Sequence, residues 1–253
     1  MKKTIFFSIF VISLGLFLLP SCDRVTNPYP PAANLELDTT LYPGNWADYL
    51  ANEWPNFSPN NNTLRNILIE DFTGHKCIYC PAAADLAHQL HEANPGRVFV
   101  ASIHAGVDGI GDFQSIDAEY TLDFTNPDGL YIGTWFGQND PGFVGNPRGP
   151  INRVNIGGNI FQGPGQWSSI TSTLLTENDL KVNLQSQLNY FPSTKGAFLH
   201  VEVDKLDPAL TNELGIVAYL LEDSLVGDQK MSDNSHNHEY ILSLIHISEP
   251  TRL

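Results

Sequence analysis

The sequence predicts an α/β unit followed by an all-β segment, and three observations predict it. Two β-prone apolar runs, Asn66–Phe72 and Arg97–Ile103, flank a helical pattern, so strand, helix and strand follow in that order. A Cys-x-x-Cys pair, Cys77 and Cys80, stands where the first run turns into the helix. From Leu180 the apolar period changes to two: Leu180, Val182 and Leu184 alternate with polar residues, as do Leu199, Val201 and Val203. Strand, helix and strand at this spacing make a βαβ unit, with parallel strands and a right-handed crossover.

Each element has its own warrant. Trp46–Trp54 reads as a short helix, and Pro59-Asn60-Asn61-Asn62 as a turn. Pro81–Glu92 carries Ala83, Leu86, Ala87 and Leu90 at helical spacing, and Asn94-Pro95-Gly96 stops it. A helix is expected near Thr125–Phe136, a hairpin from Arg148–Val154 with Asn159–Phe161, and a closing helix at Trp167–Leu175. Leu214–Leu221 is a continuous apolar strand. The expected organisation is a signal segment at 1–21, a cysteine-led tether at 22–58, the α/β domain at 59–176 and a β-sandwich-like domain at 177–241. The last has about 65 residues, short of the ~100 of a complete sandwich.

Both ends carry patterns unrelated to folding. Lys2 and Lys3 precede an apolar run from Ile5 to Leu19, the order of a secretory signal and too short for a transmembrane helix. Leu19-Pro20-Ser21-Cys22 resembles the lipobox of bacterial lipoproteins, which implies cleavage before Cys22 and acyl chains on it; the alternative is an ordinary signal peptide with an incidental cysteine. Several acyl chains would hold the protein firmly on a membrane. Leu242–Arg252 resembles the in-frame translation of a transposon-type sequencing adapter, so 242–253 reads as a non-native tail; a natural apolar strand with a polar tail is the alternative.

Composition narrows the function. Hydrophobic content is 42% and charged content 16%, as in a folded globular chain. The formal charge is -15, and loss of Lys2 and Lys3 with the signal would leave about -17. That argues against nucleic acid or an anionic membrane surface as partner. Three cysteines are too few for a disulfide-stapled scaffold.

The cysteine pair is the chemical focus. A helix N-terminus offers unpaired N–H groups and a positive dipole end, both of which stabilise a thiolate, and Lys76 adds a positive charge. Cys77, expected to be the more exposed, would attack; Cys80 would resolve the mixed disulfide. An exported chain would meet an oxidising compartment, where disulfides persist, so an inert structural disulfide is the competing reading. Pro81 stands where a c-type haem site needs His. A zinc site would need a second ligand pair, and His236 and His238 lie in what reads as a distant domain. They are expected to order a turn, so no metal and no cofactor is expected. Gly106, Gly109 and Gly111 follow no phosphate-binding pattern, and no nucleophilic serine motif is present.

Asp71-Phe72-Thr73-Gly74-His75-Lys76-Cys77-Ile78-Tyr79-Cys80 resembles the active-site segment of the thioredoxin superfamily, making the α/β unit thioredoxin-like. The resemblance implies that Asp71 is a buried carboxylate shuttling a proton to Cys80, with a raised pKa; a strand-end carboxylate in water is the alternative. Along an ideal strand Glu70 points the other way, so one of the two is expected inward. Gly145-Asn146-Pro147 resembles the loop whose cis-proline faces the disulfide, which implies that Pro147 is a docking wall. Lys76 before the first cysteine, the Ile-Tyr dipeptide and Pro81 depart from the pattern and leave redox direction open. His104, at the end of the second strand, could tune the thiols, although a hydrogen-bonded structural role is favoured. Arg153 is expected to pair with a core acid, with a place on the pocket rim as the alternative.

The lipobox, Glu-Asp-Phe-Thr-Gly-His-Lys-Cys, Ser-Ile-His-Ala-Gly (102–106), Pro-Ile-Asn-Arg (150–153), Glu-Asp (222–223) and His-Asn-His (236–238) together resemble the Omp-twenty-eight-related outer-membrane lipoproteins. That family implies a thioredoxin-like domain followed by a β-sandwich-like one, lipid-anchored at the outer membrane. The expected function is thiol–disulfide exchange, with exported protein thiols or disulfides, or a redox protein, as partner. The alternative is a surface lipoprotein for binding or adhesion with a static Cys77–Cys80 staple.

Overall fold

The computed structural model describes residues 37–211 and 214–252. The expected signal segment and Cys22 lie outside the described residues. Four helices and six strands follow a 3-10 turn at Thr39–Leu41: α1 (Trp46–Asn52), β1 (Ile67–Thr73), α2 (Cys80–Ala93), β2 (Val98–His104), α3 (Pro127–Asn139), α4 (Pro164–Glu177), β3 (Val182–Phe191), β4 (Gly196–Lys205), β5 (Gly215–Lys230) and β6 (His236–Arg252). The class is mixed α/β with small sheets. No helix among the described residues is long and apolar enough to cross a membrane.

Helix boundaries follow local chemistry. Asn45 and Asn126 side chains accept the free N–H groups of Ala47 and Gly129 at the starts of α1 and α3. Pro81, Pro127 and Pro164 sit in first turns, where a missing N–H does no harm. Asn178 closes α4 in the left-handed conformation, at φ 47°.

β1 and β2 pair in parallel from Ile67 with Val98 to Thr73 with His104. On its other edge β1 meets 148–151 in antiparallel bridges, Ile69 with Ile151 and Phe72 with Arg148, and Gly149 bridges onward to Gln162. β1 is therefore central and covered on both faces. Ile67 and Ile69 pack with Ala83 and Ala87 of α2 and Trp167 and Ile170 of α4. On the other face Phe72 packs with Ile132 and Phe136 of α3. The approach of 148–151 depends on Gly149, where a Cβ would run into the carbonyl oxygen of Glu70. Gly149→Ala is expected to lower the unfolding free energy by about 1–3 kcal/mol in urea titration.

Central placement corrects one expectation. Glu70 and Asp71 are both buried, at 1% and 0% exposure, because the alternating pleat sends them to two covered faces. Glu70 accepts from Arg153 Nε at 2.8 Å and Nη2 at 2.7 Å, and from the Tyr219 hydroxyl at 2.7 Å. This ties β1 to the 148–154 segment and to β5.

Residues after 181 form two separate antiparallel hairpins, β3–β4 and β5–β6. The β3–β4 hairpin packs against 39–54: Tyr49 is fully buried among Tyr42, Trp46, Phe191 and Phe198. The helix expected within Trp46–Trp54 forms as α1, and the expected tether before it holds the 3-10 turn Thr39–Leu41 and the packed Tyr42 ring. The β5–β6 hairpin lies on the α/β unit: Gly227 abuts Phe124, and Val217 and Tyr219 pack on the Phe72 cluster. His236 is therefore close to the cysteine region and not in a distant domain. The backbone of β6 continues through 242–252, paired with β5.

Candidate functional site

The end of β1, the start of α2 and the end of β5 converge on the cysteine pair. Cys77 and Cys80 form a disulfide, with Cα atoms 5.4 Å apart, and Cys80 is the first residue of α2. The loop before α2 is held from two sides. Phe113 O accepts from Lys76 N at 3.1 Å, and Lys230 N donates to His75 O at 2.8 Å. Gln229, itself buried, donates from Nε2 to Cys77 O at 3.2 Å. Cys77 is only 1% exposed, against the expectation of an accessible attacking sulfur, and Cys80 is equally buried. Tyr79, between them, is the exposed member of the loop.

Beneath the loop lie groups with few partners. Asp71 shares its side of β1 with Ile67 and Ile69, the side that packs on α2. Both its carboxylate oxygens are buried without a hydrogen bond, and desolvation raises its pKa to about 7. His104, at the end of β2, is buried with both ring nitrogens unpartnered, which corrects the expected hydrogen-bonded histidine. Burial, reinforced by the neighbouring His75, lowers its pKa to about 3. The two imidazoles lie face to face with centroids 6.3 Å apart, and His75 also meets Tyr120 and Phe124. Burial lowers the pKa of His75 as well, against the raising influence of the Ser115 backbone.

Lys76 is engaged elsewhere. Its Nζ donates to Ser115 Oγ at 2.7 Å and Asp117 Oδ2 at 3.0 Å, so its charge is shared with a carboxylate. The Asn146–Pro147 peptide is cis. Asn146 Nδ2 donates to Ala105 O, Gln114 Nε2 donates to Thr73 O and Asn146 Oδ1, and Phe72 N donates to Arg148 O. These bonds bring Pro147 to the end of β1 where the cysteine loop begins. Cys77 and Cys80 thus follow the end of β1, Asp71 lies two residues before that end, His104 pairs with Thr73 across from it, and Pro147 precedes Arg148, which bridges to Phe72. His75 and Gln229 were not singled out in the sequence. A lone histidine inside a turn has no pattern, and Gln229 acts across 152 residues.

The fold and site define a mixed α/β protein with a buried Cys-x-x-Cys disulfide at a strand-to-helix junction. Among solved structures, the chain is similar to HBP35 of Porphyromonas gingivalis, at 15% identity and a TM-score of 0.47, over 74% of this chain and 58% of that one. The chain therefore spans less than two thirds of that protein's length. No family model and no curated protein matches it.

Proposed function

We propose that this chain is a thioredoxin-like envelope protein, lipid-anchored through Cys22 in the manner of the Omp-twenty-eight-related lipoproteins, that exchanges thiols and disulfides with exported proteins. One observation carries the reading: a buried, unpartnered carboxylate at Asp71, on the side of β1 that faces α2. An inert disulfide has no use for such a group, and perturbed carboxyls cluster where protons are moved. In the reducing direction the Cys77 thiolate attacks a substrate disulfide and releases one substrate thiol. Asp71 takes the proton from Cys80, whose thiolate attacks Cys77 Sγ; the internal disulfide re-forms and the second substrate thiol leaves. A second dithiol protein then restores the reduced pair. Pro147 would wall the docking edge.

A second reading, a binding or adhesion lipoprotein with a static staple, is favoured by two observations. Cys77 is buried with its carbonyl hydrogen-bonded by Gln229, and Leu184, Leu188, Tyr190 and Leu199 expose an apolar stripe on the β3–β4 hairpin.

The reduction potential of the pair separates the two. A value between about -120 and -270 mV supports exchange, with disulfide reductase activity lost in Cys77→Ser; a value below about -300 mV with an unreactive pair supports the staple. Removing that hydrogen bond is a further test. Gln229→Ala is expected to speed reduction by dithiothreitol roughly fivefold, the equivalent of about 1 kcal/mol for one hydrogen bond. An unchanged rate would show that Gln229 does not limit access.

A further inference from the structure

We infer that Asp228, His236 and His238 form a binding site for a divalent transition cation of the zinc class. The residues come from the two arms of the β5–β6 hairpin. His236 and His238, two apart on β6, share a face. Opposite them the register shifts between Gly227 and Gln229, and Asp228 occupies the shift. Such an irregularity re-aims a side chain, here bringing a carboxylate towards two imidazoles.

The donor atoms already converge. Asp228 Oδ1 is 2.7 Å from His238 Nδ1 and 3.2 Å from His236 Nε2, and one ligand atom from each residue lies within 4.8 Å of the others. His236 Nε2 is hidden from solvent and makes no hydrogen bond despite that short distance. A buried nitrogen lone pair or N–H without a partner is costly, and a cation would give it one. Tetrahedral zinc, with bonds of 2.0–2.1 Å, needs ligand atoms roughly 3.3 Å apart, so small side-chain rotations suffice.

The surroundings suit a metal. The Tyr120 ring stacks on His236 at 4.4 Å and fixes its orientation. The turn between the arms is closed by Met231 N to Ser235 O at 2.9 Å and by Asn234 in the left-handed conformation, at φ 64°. Two imidazoles and one carboxylate match zinc, copper or nickel better than calcium or magnesium, which prefer oxygen. Three protein ligands leave a coordination position for water or a partner's side chain.

The test uses the full chain without a polyhistidine tag, stripped with chelator and titrated with Zn²⁺ by calorimetry, with Co²⁺ absorption as a second probe. One equivalent is expected to bind, and His238→Ala and Asp228→Asn are each expected to weaken binding at least about tenfold. His238 is largely exposed, so its replacement is expected to leave the circular dichroism and melting temperature of the metal-free protein unchanged. His88→Ala, at the exposed His88–Glu92 pair on α2, is expected to bind like the parent. Absence of saturable one-to-one binding, unchanged affinity in His238→Ala and Asp228→Asn, or loss in His88→Ala would overturn the assignment.

Discussion

Arg153→Met is expected to lower the unfolding free energy by about 3–5 kcal/mol, the range for breaking a buried ion pair by removing one partner. Glu70 is 1% exposed, and the guanidinium supplies two of its hydrogen bonds. Removing that fork leaves the Glu70 side chain in the core with the Tyr219 hydroxyl in place of a counter-charge. Arg153→Lys keeps the charge without the planar fork and should fall between the two. Glu70→Leu combined with Arg153→Met should recover much of the loss, because no charge is left stranded. Urea unfolding of the four proteins checks the series; a loss under 1 kcal/mol in Arg153→Met would refute it. Because Tyr219 belongs to β5, Arg153→Met should also loosen the Gln229 hydrogen bond to Cys77 and speed reduction of the disulfide.

The second large effect is a pair of opposed pH dependences. Asp71 has a folded pKa of about 7 against an ordinary 3.8, so the folded state holds its proton longer. Folding then loses stability as pH rises from about 4 to about 7, by roughly 4 kcal/mol at full effect. His104 has a folded pKa of about 3 against 6.5, so the folded state keeps it neutral. Its contribution is present above about 6.5 and is lost as pH falls towards 3. Between about 4 and 6.5 the two slopes oppose each other. The stability of Asp71→Asn relative to the parent should therefore grow with rising pH across about 4 to 7. That of His104→Gln should grow as pH falls below about 6.5. Unfolding titrations at pH 4, 5, 6, 7 and 8 read both differences, and flat differences would contradict the burial argument.

Much of the α/β unit was legible in the sequence. The run Ile-Leu-Ile-Glu-Asp-Phe, the alanines and leucines after Cys80, and the run ending at Ile103 carry the periods of strand, helix and strand. Their boundaries shifted by a residue or two: β1 starts at Ile67 and α2 at Cys80. The inward-facing pair Glu70 and Asp71 was misjudged because the pleat rule fits a strand with one wet face. β1 has none, since helices cover both of its faces. The Gln229 contact with Cys77 left no local signature. Gln229 is polar, sits at the end of a strand and makes its contact through a main-chain carbonyl, which any residue type could offer. The same holds for the cluster at Asp228, where a register shift aligns residues of two strands. His-x-His was visible, but its carboxylate partner was not.

The hydrogen bond from Gln229 to the Cys77 carbonyl also acts as an intramolecular competitor. An extended polypeptide approaching the disulfide would seek main-chain acceptors of this kind, and one is already occupied by a side chain of the same molecule. Tethering gives that side chain an effective concentration on the order of millimolar or more. A dilute, weakly binding peptide cannot displace it. A chain that makes several contacts at once could, so under the proposed exchange function this hydrogen bond would select by avidity before any sulfur reacts.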